Sequence, residues 1–355
     1  MKHRIVRLLG WFLIVLVAVL LVVRFVGSPV VTHIANRKLA ALDDYVGHVG
    51  GIHLALWRFT VTATDFTLAS RHAPAAEPLV HIKQASLAVA FGSLMKGKLG
   101  GHGTVDGMDL AVVKKQTDDL KRDAKEKAPE ARAWIAVIRE TFPLEITRFE
   151  MENMRISFSD QSTPSAGKLV VDQLKLVATE VTNRSDGGEL PTHVAIQGRV
   201  GGTGSLALDL RADPSAELPR FEARMEIKNL TLVPIRDFLI SYALIDPSGG
   251  TFELFSEISA TGGHYDGYVK PFFKDLKFKA VPDPQKNLLQ RAATRIAAAV
   301  TDALKNDQGA VATKVPFKGD FAVNEVDLWT TVQNLLRNAF IQSLREGLEG
   351  RTPAP

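Results

Sequence analysis

The amino-acid sequence predicts an α+β protein in which one N-terminal transmembrane helix precedes a large, mostly antiparallel β-sheet with flanking helices. Three observations lead to this fold class. Residues 8–23 form an uncharged, strongly apolar run. Several later segments alternate apolar and polar residues with the period of a β-strand. Two segments near the C-terminus instead repeat apolar residues with the period of an α-helix.

The uncharged run has the composition of a membrane anchor. As a helix, its sixteen residues cover about 24 Å, which is shorter than the ~30 Å hydrocarbon core. Arg24 follows, but an arginine near a helix end reaches the headgroups, and apolar residues continue to residue 31. We therefore expect residues 1–31 to form a tail and an uncleaved anchor. The alternative is a cleaved signal peptide, for which the sequence offers no good small-residue cleavage site.

The charges around this run bear on its orientation. Basic residues lie on both sides of it: Lys2, Arg4 and Arg7 before, and Arg24, Arg37 and Lys38 after. Lysine and arginine are enriched on the cytoplasmic side of a span. The two sides nearly balance, and the short, wholly basic tail favours an N-terminus in the cytoplasm with the bulk of the chain on the other side.

The composition excludes several classes of site. The net charge of +4 is spread along the chain, and there is no basic face with interleaved aromatic residues, so we expect no nucleic-acid partner. The absence of cysteine excludes disulfides, zinc–thiolate sites, iron–sulfur clusters and lipoprotein attachment. The hydrophobic share of 46% fits a globular protein with one span.

The elements follow from the hydrophobic pattern. After the anchor, residues 30–42 are predicted to form a short helix. Clean alternation appears at Phe221, Ala223, Met225 and Ile227, which predicts a sheet with one wet and one dry face, the pattern typical of antiparallel strands. Strands are also predicted near residues 52–56, 60–68, 80–91, 104–113, 206–210, 252–258, 276–279 and 315–323. Helices are predicted at residues 117–141, 232–245, 287–304 and 326–348.

No segment of the sequence matches a catalytic or cofactor-binding motif in full. Residues 92–99 resemble a phosphate-binding loop, but Leu99 stands where the motif needs a hydroxyl. Residues 202–207 resemble a dinucleotide fingerprint but lead into a strand, which favours a glycine-rich hairpin. The nine histidines show no metal-ligand spacing. We expect no enzyme activity, no cofactor and no metal. The enzyme hypothesis would revive if the following residues met in a cleft: His48, His53 and Asp65.

The apolar strand faces admit two interpretations, a sealed core or a groove open to an acyl chain, since both are apolar. The residues we select as groove candidates are Leu206, Leu208, Leu210, Phe221, Met225, Ile227, Phe252, Leu254 and Ile258. The C-terminal amphipathic helices likewise either pack on the sheet, cover such a groove or contact the membrane surface.

Several segments resemble, in order, those of AsmA-like bacterial envelope proteins of the AsmA/TamB superfamily: residues 36–42, 47–50, 52–57, 93–99, 242–249 and 266–271. The resemblance implies a single inner-membrane helix, with residues 32–355 in the periplasm of a Gram-negative cell. It also implies a bent, taco-like sheet with an apolar trough. Large members are linked to phospholipid movement toward the outer membrane.

This chain is shorter than those large members. About fifteen strands at ~4.8 Å spacing give a sheet of about 70 Å, too short to bridge the envelope alone. We therefore expect it to hold or shuttle phospholipid through acyl-chain contacts. The alternative is a scaffold or assembly protein that binds other envelope proteins through sheet edges or through residues 114–139.

Overall fold

A computed structural model of the chain describes residues 27–42, 45–55, 58–71, 78–94, 99–114, 144–160, 167–182, 189–216, 218–243, 245–280, 310–312 and 314–320. Residues 1–26 of the predicted anchor and the predicted helices at residues 117–141, 287–304 and 326–348 lie outside these ranges, whereas residues 28–31 belong to the helix Ser28–Ala40. None of the helices within them is long and apolar enough to cross a membrane.

Thirteen strands make up most of the described chain. They are β1 (Tyr45–Ala55), β2 (Thr60–Ser70), β3 (Val80–Val89), β4 (Leu99–Lys114), β5 (Leu144–Asp160), β6 (Lys168–Thr182), β7 (Thr192–Val200), β8 (Gly204–Ala212), β9 (Phe221–Thr231), β10 (Ile245–Thr261), β11 (His264–Ala280), β12 (Ala310–Ala312) and β13 (Val315–Asp320). The helices are α1 (Ser28–Ala40), α2 (Phe91–Leu94) and α3 (Arg236–Ala243), the last preceded by a 3-10 turn at Val233–Ile235. The expected short helix after the anchor is therefore present as α1.

The strands form one open sheet in chain order from β1 to β12, and β13 pairs with β11 beside β12. Neighbours are antiparallel, except that β4 and β5 run parallel. This architecture confirms the prediction of a large, mostly antiparallel sheet. The turn at residues 201–203 joins β7 to β8 as a tight hairpin, since Val200 pairs with Gly204, so the glycine-rich motif is a hairpin as expected.

The sheet has one apolar and one polar face in its C-terminal half. In β8, Leu206, Leu208 and Leu210 are half-buried, whereas the residues between them are exposed. Pairing places Leu208 opposite Met225 of β9, so the apolar positions of neighbouring strands meet on one side. The alternation in the sequence thus corresponds to a dry face and a wet face of the sheet.

Residues with positive φ form a line across β2 to β6. Asp65, Gly107, Asn153 and Gln173 all have φ between 52° and 67°. Register places them level with one another, because Thr64 pairs with Gln84, Gln84 with Asp106, and Asp106 with Glu152. The β5–β6 and β6–β7 registers shift at the same level. Such bulges locally bend a strand and increase its twist.

The strain at this line leads to a prediction about Gln173. Glycine relieves the cost of a left-handed backbone, about 1–2 kcal/mol, which offsets its own entropic penalty. Gln173→Gly should leave the free energy of unfolding unchanged or raise it by up to ~1 kcal/mol. The control is Gln197→Gly on neighbouring β7, an exposed position without positive φ, which should lose about 1 kcal/mol. Urea unfolding of both variants measures the difference, and equal losses would contradict the strain argument.

Candidate functional site

All nine groove candidates lie on the same face of three neighbouring strands. Register aligns them in rows across β8, β9 and β10, such as Leu206 with Ile227 and Leu254. A second row joins Leu208 to Met225. Further rows pair Leu210 with Ala223 and Ile258, and Ala212 with Phe221 and Ala260. Phe252 lies on the same face because it is two residues from Leu254 on β10, and it pairs with Leu230 across an irregularity in β9.

The nine groove candidates differ in how much of their side-chain surface is buried. Leu254 is only 3% exposed and packs beside Val269, with Met225, Ile227 and Phe252 against the pair. Leu254 therefore belongs to a sealed core. The other eight keep part of their surface: Phe252 and Ile227 border this core, whereas Leu208, Leu210, Phe221 and Ile258 lie toward the other end of the strands. The apolar face is thus sealed in one part and partly exposed in another.

The connection between β9 and β10 closes one end of the apolar face. Leu232 and Ile235 are buried against Leu230, Phe273 and Leu276. Val200 and Leu206 join this cluster from β7 and β8. The end of the face near the C-terminus of β9 is consequently filled by the protein's own side chains.

Helix α3 continues this closure toward β5 and β6. The ring of Phe238 meets Phe158 of β5 edge-on, with centroids 6.1 Å apart. Gly167 permits the approach, because a Cβ there would lie 2.7 Å from the Asp237 carbonyl oxygen. Arg236 holds the start of the helix by donating from Nη2 to Asp246 at 2.9 Å, and this bond raises the pKa of the guanidinium.

The ring contact can be tested by Phe238→Ala. Loss of a half-buried ring against the buried Phe158 should lower the free energy of unfolding by about 2–3 kcal/mol. The matched control is Val233→Ala in the same connection, where the side chain is 46% exposed and the expected loss is under ~0.5 kcal/mol. Urea midpoints compare the two, and a loss no larger than the control's would mean that α3 does not anchor this end.

The apolar face extends beyond the predicted residues. Ile196 of β7 pairs with Leu208 on one side and Leu176 of β6 on the other. Val194 pairs with Leu210 and with the buried Ala178 in the same way. The sequence signal was present, since apolar residues alternate within β7 as they do within β8.

The opposite face is charged. Lys175 donates to Glu152 at 2.6 Å, and this bond raises the pKa of the lysine. Arg148 donates to Glu150, which lowers the pKa of that carboxyl. Burial raises the pKa of Tyr268 on β11, with Glu257 adding to the effect. These groups pair along and between strands, which suits a face that stays in water.

Helix α1 covers the edge strand β1 with polar side chains. Asn36 accepts from the Val49 amide at 2.7 Å and donates to the Val49 carbonyl at 2.9 Å. The hydroxyl of Thr32 accepts from the Ile52 amide at 2.8 Å, and that of Ser28 accepts from the Leu54 amide at 3.2 Å. Their i, i+4, i+8 spacing puts all three on one side of the helix. Helix α1 therefore satisfies four backbone groups of the β1 edge: the Val49 amide and carbonyl and the Ile52 and Leu54 amides.

Two histidines lie in a cleft at the β1 edge of the sheet. His33 and His53 line an open cleft of about 750 Å³ between α1 and β1, and neither His48 nor Asp65 is among its lining residues. Across the part of the chain that the structure describes, no three His, Cys, Asp or Glu residues converge as metal ligands would. The arrangement that would have revived the enzyme hypothesis is not formed in this cleft.

No protein-family model matches this chain, and no curated protein does so either.

Proposed function

We propose that this chain is an AsmA-like protein of the Gram-negative envelope that holds or transfers phospholipid. Residues 1–31 would anchor it in the inner membrane, and residues 32–355 would fold in the periplasm as a bent, taco-like sheet with flanking helices. The observation that carries the proposal is the continuous apolar face across β5 to β10, where large aliphatic side chains stay partly accessible beyond the sealed end.

The energetics favour acyl chains as the occupant. Each methylene removed from water contributes about 0.8 kcal/mol, so a chain that lays several methylenes along this face gains enough to be retained. Binding of this kind requires neither a catalytic group nor a cofactor.

The length of the sheet supports holding or shuttling rather than bridging. Eleven steps from β1 to β12 at ~4.8 Å give about 53 Å of described sheet. The protein would therefore load a lipid near the membrane surface and pass it on.

The test is to quantify bound phospholipid on the full chain. The protein is purified in mild detergent, exchanged into amphipol and analysed by native mass spectrometry. We expect at least about one bound phospholipid per chain. This lipid should be lost in a variant that carries a charge on the apolar face. The loss distinguishes lipid in the groove from lipid around the anchor. A clean apo mass, or lipid unaffected by the variant, would instead favour the scaffold alternative.

The scaffold alternative has less support at the β1 edge of the sheet. An assembly protein that adds a strand to its partner needs an open sheet edge. At β1 the Val49 amide and carbonyl and the Ile52 and Leu54 amides already bond to α1. A partner at this edge would have to displace the helix first.

A further inference from the structure

The outward side of α1 is apolar where a surface helix is normally polar. Val30 and Ile34 are each 50% exposed, and Val31 is 37% exposed. They lie on the side of the helix away from Ser28, Thr32 and Asn36, whose side chains face β1. A helix packed on a sheet usually points charged or polar residues to water. We therefore expect another surface to cover the apolar stripe formed by Val30, Val31 and Ile34.

The charge on the same helix indicates which occupant fits. Arg37 and Lys38 occupy its last turn, and the helix contains no acidic residue. Asp43 and Asp44 follow it outside the described residues. Aliphatic side chains bordered by basic ones are typical of helices that lie in the headgroup region, where lysine and arginine meet lipid phosphates.

The start of α1 lies close in sequence to the uncharged run. The uncharged run ends at residue 23, and α1 begins at Ser28. The four residues between can span at most about 14 Å when extended. If the run enters lipid, the stripe of Val30, Val31 and Ile34 lies within reach of the headgroups.

We propose that α1 lies on the phospholipid surface with Val30, Val31 and Ile34 inserted among the headgroups and with Arg37 and Lys38 at the phosphates. Because α1 runs alongside β1, with Ser28 at Leu54 and Asn36 at Val49, the sheet then stands on its β1 edge. Strand β11 would lie ten steps away, about 48 Å along the sheet. The proposal rests on the membrane attachment in the proposed function and is independent of lipid in the groove.

The absence of cysteine makes site-specific labelling direct. Single-cysteine variants Val30→Cys and Ile34→Cys of the full chain carry an environment-sensitive fluorophore in vesicles of phosphatidylcholine and phosphatidylglycerol at 7:3. His53→Cys, exposed on the neighbouring strand, is the near control, and Lys318→Cys on β13 is the far control. We expect doxyl-labelled lipid to quench positions 30 and 34 at least threefold more than position 53, and position 318 not at all.

Three outcomes would overturn the proposal. Quenching at positions 30 and 34 no stronger than at position 53 would show that the stripe faces water. Disulfide or excimer formation between copies at position 34, without lipid quenching, would assign the stripe to a second copy of the chain. Unchanged quenching at positions 30 and 34 in the Arg37→Glu/Lys38→Glu variant would show that these two basic residues do not contact the lipid phosphates. Full lipid retention in a separate, folded apolar-face variant would contradict only the proposed function.

Discussion

The Met225→Asp variant is expected to retain no more than about a tenth of the phospholipid held by the unmodified chain. Met225 is half-buried at the centre of the apolar face, opposite Leu208 of β8 and Ser256 of β10. A carboxylate there must lose water when an acyl chain covers it, and that cost exceeds the ~1.4 kcal/mol that corresponds to a tenfold change in affinity. Phospholipid per chain, measured by native mass spectrometry, gives the ratio directly.

A matched control separates the apolar face from the added charge. Gln197→Asp adds the same charge on the wet face of β7, where the residue is exposed and pairs with Lys175. This variant should retain its lipid. Leu208→Asp serves as a second test on the apolar face in case Met225→Asp does not fold. Circular dichroism and urea unfolding establish folding, and full lipid retention in a folded apolar-face variant would rule out this face as the binding site.

Removal of the Asn36 side chain should destabilise the sheet edge and make the protein associate with itself. Asn36→Ala deletes two hydrogen bonds to Val49 and leaves that amide and carbonyl without their partner. The expected loss is about 2–3 kcal/mol in the free energy of unfolding. A released edge strand also pairs readily with another chain, so dimers or larger species should increase with concentration.

The control for this effect is Arg37→Ala, which changes the next residue of the same helix in its last turn. Its loss should stay within about 0.5 kcal/mol. Urea unfolding and light scattering at several protein concentrations compare the two variants in the same detergent. If Asn36→Ala is as stable and as monomeric as the control, the edge does not depend on α1.

The strand elements were predictable because their signal is local. β8 and β9 alternate without interruption, and a half-buried antiparallel strand imposes that period on its own residues. The nine groove candidates consequently share one face, as the alternation implies. Helix α1 was also visible in the sequence, although its role at the sheet edge was not.

Other features were not predictable because they depend on neighbouring strands. Gln173 carries a left-handed backbone although its residue type does not favour one, and the reason is its alignment with Gly107 and Asn153 across the sheet. The parallel pairing of β4 with β5 is likewise a property of the two strands together. Neither property can be predicted from the sequence of one strand alone.

By itself, the sequence determined that the chain forms a large, mostly antiparallel sheet, its wet and dry faces, and which side chains line the dry one, because hydrophobic period is a property of each strand alone. Only the tertiary structure decided which of those side chains are sealed. Leu254 and Leu206 have the same pattern in the sequence, yet Leu254 is covered while Leu206 remains half-buried. Burial depends on which side chains other elements bring against a strand. For Leu254 these include Val269 of β11 and Phe317 of β13, whose pairing no local pattern specifies.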